Sequence, residues 1–72
     1  MMDAFLNEAI VQQRKKVARI AAELRPHLGP DDLLNPHDFP ELVRDARFNY
    51  EDGLLAGLLV AQMAIRSWAK RQ

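Results

Sequence analysis

Between Leu6 and Leu24 the apolar positions recur as Leu6, Ile10, Val17, Ile20 and Leu24, with Gln13 in the one polar slot of a heptad-like spacing. At about 100° per residue these six side chains fall within about 40° of Leu6, whereas Lys15, Lys16, Arg19 and Glu23 project from the other side. The pattern predicts an amphipathic helix over about residues 3–25, one face buried and one wet. Pro26 lacks the amide a continuing helix needs and biases Arg25 away from helical geometry, so the helix stops at the Pro26–Pro30 stretch.

Residues 26–38 hold three prolines, Gly29 and Asn35, and read as a connection whose Leu33 and Leu34 argue against disorder. A short helical turn is expected after Pro30. Asp38-Phe39-Pro40-Glu41 has the spacing of a capping box with proline in the first turn, which predicts a short helix over about residues 40–45 anchored by Leu42 and Val43. Asn49 is an acceptable N-cap followed by Glu51 and Asp52, predicting a second long helix over about residues 49–70. The rival is one uninterrupted helix from Pro40, because Val43, Ala46, Tyr50 and Leu54 would keep one apolar face in register through the break. No strand signal or internal repeat is present.

Along the second long helix Tyr50, Gly53, Gly57, Ala61, Ala64 and Trp68 fall within about 80° of one another, a strip of small residues ended by aromatics. Leu54, Leu58 and Ile65 form a bulkier face, and Leu55, Leu59 and Met63 are expected to be partly exposed in an isolated hairpin. One neighbouring helix covers only part of such a surface. The expected fold is therefore all-α, a single domain over residues 1–72: a helical hairpin of two long helices with a short helix in the connection. Pairing of two copies into an antiparallel four-helix bundle would bury what one hairpin cannot. Leu55, Gly57, Leu59, Met63 and Trp68 are the candidate residues for helix packing or the dimer interface.

Length sharpens that expectation. A chain of 72 residues buries a modest fraction of its unfolded surface, and it contains no cysteine to supply a disulfide or a thiolate zinc site. Oligomerisation is the remaining common aid for so small a domain. Apolar residues make up 49% and charged residues 28%, a composition that folds rather than stays disordered. Formal net charge is zero, so no global field favours nucleic acid or anionic lipid. Residues 29–53 carry seven acidic and two basic side chains, and residues 54–72 carry three basic ones and no acidic one, a distribution that complements the dipole of the second helix. The start lacks the features of a secretory signal, and the run Leu54–Ile65 is too short to span a bilayer. A cytoplasmic protein with no membrane partner is expected.

Candidate chemistry is sparse. Ser67 is the only serine, and threonine, cysteine and a glycine-rich phosphate loop are absent, so no catalytic residue is assigned and no enzyme or cofactor is expected. The leading expectation is a small interaction or assembly protein that acts through its surface as a homo-oligomer, its partner being itself or another protein. An RNA-binding or regulatory hairpin is the alternative, through Arg14, Lys15 and Arg19. With Lys16 those side chains fan over about 200° instead of lining one stripe, which favours a solvated face. A third reading is a metal site built from His27, Asp31 and His37; these lie in a proline-broken loop rather than on the rigid elements such sites use, and no metal ligand is assigned.

Overall fold

The computed structural model describes residues 2–29 and 31–71. It contains three α-helices and no strand among the described residues: α1 over Met2–Leu24, α2 over Pro40–Val43 and α3 over Ala46–Lys70. Two 3-10 turns, Asp32–Leu34 and Pro36–Asp38, occupy the connection between α1 and α2. The long helices run antiparallel, as three cross-links show in order. Asn7 accepts a hydrogen bond from Gln62, Gln13 reaches Glu51, and Glu23 pairs with Arg47 near the closed end. The result is a hairpin of 44 × 20 × 18 Å.

The α1 stripe is the face that turns inward. Ile10, Val17 and Ile20 are buried, with Ala21 beside them, and Leu6 and Leu24 pack at the two ends of the same row. Across from them Leu42, Phe48 and Leu55 complete the core, and Leu28, Leu33 and Phe39 fold over its flank from the connection. Phe48 is 1% exposed and, with Leu42, is one of the two largest side chains removed from water completely. Arg25 seals the closed end from outside: its guanidinium lies 4.8 Å from the centre of the Phe39 ring and 3.5 Å from Glu41.

Helix starts differ from the sequence expectation in an informative way. A break separates α2 from α3, but it falls at Arg44–Asp45, and Asp45 rather than Asn49 is the N-cap. Asp45 has an extended backbone, and its carboxylate accepts a 2.7 Å hydrogen bond from the Phe48 amide, satisfying one of the orphan donors of the first turn. Asn49 lies within α3, and its side-chain amide donates back to the Val43 carbonyl at 2.7 Å. The break re-aims the chain, so Val43, Tyr50 and Leu54 are exposed instead of forming one inner row. Val43 is exposed, and Leu42 is the buried residue of α2.

Asp38 does not close a capping box either. Phe39 occupies the cap position of α2 without a side-chain bond, while Asp38 is exposed and lies 3.7 Å from His37 Nε2. The acid that organises the connection is Asp32. Its carboxylate accepts the Gly29 amide at 2.8 Å, and its own amide donates to the Gly29 carbonyl. Just before that turn, His27 takes a left-handed backbone conformation, φ 75°, of the kind that commonly ends a helix.

Candidate functional site

Glycine, valine, alanine and tryptophan make up most of the side of α3 that faces away from α1. From Gly53 to Ile65 the chain carries no charged residue, so at helical spacing polarity cannot be confined to an outer stripe. The hairpin contact is made by Phe48, Glu51, Leu55, Leu58, Leu59 and Gln62, all buried or half-buried. Opposite them Tyr50, Gly53, Gly57, Val60, Ala64 and Trp68 are exposed. Val60 is 65% exposed and Trp68 62%. A Cβ added at Gly53 or Gly57 would meet no atom within 4 Å, so neither glycine serves close packing within the hairpin.

Two of the expected assignments need correction. Leu55, expected to be partly exposed, is buried against α1 and belongs to the core of the hairpin. Leu54, expected on the covered face, points outward. Leu55 lies at helical spacing on the same face as the buried Phe48 and Glu51, whereas Leu54 is about 100° away from it. Leu59 is half-buried at the core's edge, and Gly57, Met63 and Trp68 lie on the open surface. Met63 is 70% exposed.

The charged groups fall into separate places. Glu51 is only 8% exposed, held by Gln13 Nε2 at 3.0 Å and by Lys16 Nζ at 3.0 Å; the same Gln13 amide also donates to the Glu51 backbone carbonyl at 2.7 Å. The Gln13 hydrogen bond, then that from Lys16, holds the Glu51 carboxyl below its ordinary range, against the upward push of burial. This clasp was hidden in the sequence by its ordinary appearance as a first-turn acid. The one signal was Gln13, a polar residue on an apolar stripe, which requires a partner.

Lys16 is thereby withdrawn from the basic cluster of α1. Arg14, Lys15 and Arg19 stay exposed, the first two beside a cleft under the connection and Arg19 on the outer surface. Among the described residues no group of three or more histidine, cysteine or acidic side chains is placed to hold a metal; the structure does not bring His27, Asp31 and His37 together. No helix of the described residues is long and apolar enough to cross a membrane.

No protein-family model, curated protein or solved structure matches this chain. The outer side of α3 departs from an ordinary solvated helix in carrying no charged residue from Gly53 to Ile65. Scattered exposed apolar side chains are normal on a folded protein. On the outer side of α3 they recur at helical spacing with no charged residue among them.

Proposed function

We propose that this protein is a small, non-enzymatic assembly module of the cytoplasm that pairs with a second copy of itself through the outer face of α3, giving a four-helix bundle. The observation that carries the reading is the exposed, charge-free surface of Tyr50, Gly53, Gly57, Val60, Ala64 and Trp68. An isologous contact about a two-fold axis matches such a surface to itself and needs no second type of chain. The two glycines support it. Each costs about 1 kcal/mol against alanine in a helix interior, gains nothing within the hairpin, and lets a second backbone approach closely.

Sedimentation equilibrium over a broad concentration range tests the reading. The wild-type chain should run as a dimer at high concentration and dissociate on dilution, with a thermal midpoint that follows concentration. Val60→Glu places a charge on the open face without touching the hairpin core. An unpaired buried charge costs about 3 kcal/mol or more, so dimerisation should weaken by more than about a hundredfold. A wild-type chain that stays monomeric throughout, unfolding independently of concentration, would overturn self-association.

A further inference from the structure

A second feature lies on a different side of the molecule. Where the connection folds back over α1 it leaves a cleft of about 400 Å³, walled by Val17 and Ala18 of α1, by Leu28, Leu33 and Leu34 of the connection, and by Leu55 of α3. Most of the lining surface is apolar. Its charged lining residues are Arg14 and Lys15 of α1 and Asp52 of α3. Arg14 and Lys15 are exposed, and among the described residues neither makes an ion pair. The nearby acid of the connection, Asp32, is turned to the Gly29 amide and does not line the space. Lys16 is held by Glu51 on the other flank of α1, so the cation pair beside the cleft is distinct from the clasp.

We propose that this cleft binds a medium-chain carboxylate, one per chain, with its hydrocarbon against the leucines and its anionic head at Arg14 and Lys15. Three observations converge on that class of ligand. Size is the first: a dry cavity of about 150 Å³ takes up benzene, and ligand pockets start at about 300 Å³, so this cleft suits a chain of about ten carbons rather than an ion or a long-chain lipid. Polarity is the second, since a mostly apolar lining that carries two cations and a single acid, Asp52, suits an amphiphile with an anionic head. The third is Leu34, which lies at the cleft 73% exposed although its neighbour Leu33 packs into the core; a bound hydrocarbon chain would give it a partner. Two cations against one carboxylate set the preferred sign of the head group.

The binding is independent of the outer face of α3, which lies away from the cleft, so the two proposals fail separately. Isothermal titration of the full chain with decanoate, below its micelle-forming concentration, should give saturable binding at one per chain. Decyltrimethylammonium, of equal chain length and opposite charge, and hexanoate, with the charge but a shorter chain, should each bind at least about tenfold more weakly. The double change Arg14→Gln and Lys15→Gln alters only exposed side chains and should weaken decanoate about tenfold. Ala18→Trp, at an exposed helical position in the cleft wall, should abolish binding, with circular dichroism confirming an intact helix. Val60→Glu should bind decanoate as the wild type does. The proposal is overturned if binding does not saturate, if the cationic amphiphile binds equally well, if the Arg14/Lys15 double variant binds unchanged, or if Val60→Glu rather than Ala18→Trp removes the site.

Discussion

The two sides of α3 both carry apolar side chains and meet opposite fates. The inner side buries Phe48, Glu51 and Leu55 against α1; the outer side leaves Tyr50, Val60 and Trp68 in water. Apolar character alone therefore did not decide which face the hairpin covers. Shape and a polar partner did. The inner side offers a large aromatic at its start and a carboxylate where α1 presents Gln13 and Lys16, whereas the outer side offers glycines that fill no space. The connection does not cover the outer side, since its Leu28, Leu33 and Phe39 pack on the flank of the core.

The contrast is broken most severely at Phe48. Phe48→Ala should cost about 3–5 kcal/mol in urea unfolding, the range for emptying a large buried aromatic site. An equivalent truncation outside, Trp68→Ala, should change the stability of the isolated chain by less than about 0.5 kcal/mol. Equal losses at the two positions would mean that the outer face is already packed within one chain.

Next in size is the cap at the start of α3. Asp45→Ala removes the acceptor of the Phe48 amide and should lower stability by about 1 kcal/mol, within a range of about 0.5–2 kcal/mol. Asn49→Ala should cost less, because Asn49 bonds the Val43 carbonyl from inside α3 instead of capping it. The reverse order would move the start of α3 back to Asn49.

Gly57→Ala probes the outer side with the opposite sign. No atom lies where its Cβ would stand, so the isolated chain should gain about 1 kcal/mol, an increase of about 4–8 °C in Tm. Under self-association the larger Gly57→Leu should separate the two properties, leaving the monomer stable while weakening the dimer.

The smallest effect is the acid titration of the clasp. Because folding lowers the pKa of Glu51, its contribution is present above the unfolded-state value and is lost as pH falls through the folded-state value. The stability difference between wild type and Glu51→Gln should thus be flat at neutral pH and shrink in the acid range below the ordinary glutamate value of 4.5. A difference that grows on acidification would contradict the geometry of Gln13, Lys16 and Glu51.

Much of this architecture was legible because α1 is amphipathic in the plain sense: its stripe from Leu6 to Leu24 named Ile10, Val17 and Ile20, and the structure buries them. Proline placement likewise located the end of α1 and the start of α2 at Pro40. The orientation of α3 was not legible, since a helix apolar nearly all round carries no phase in its hydropathy. What fixed the phase was the buried Phe48 side chain and the Glu51 carboxylate with its partners Gln13 and Lys16, none of which hydropathy singles out. Leu55 was placed on the wrong side for that reason, and the cleft escaped notice because it depends on how Leu28 and Leu33 fold back over α1. Neither contact has a periodicity.

The Gln13–Glu51–Lys16 clasp also bears on alignment. Two smooth aliphatic faces can slide along each other by a helical turn at little expense, since one leucine packs much like the next. Sliding α3 by one turn would move Glu51 from Gln13 towards Ile10 or Val17, the neighbouring positions of the stripe, and strand a carboxylate among methyl groups. The clasp therefore acts as a notch that admits one register. Replacing both Gln13 and Glu51 by Leu should give a hairpin that tolerates heat at least as well as the wild type but shows doubled backbone amide signals in NMR spectra, as the helices sample more than one alignment.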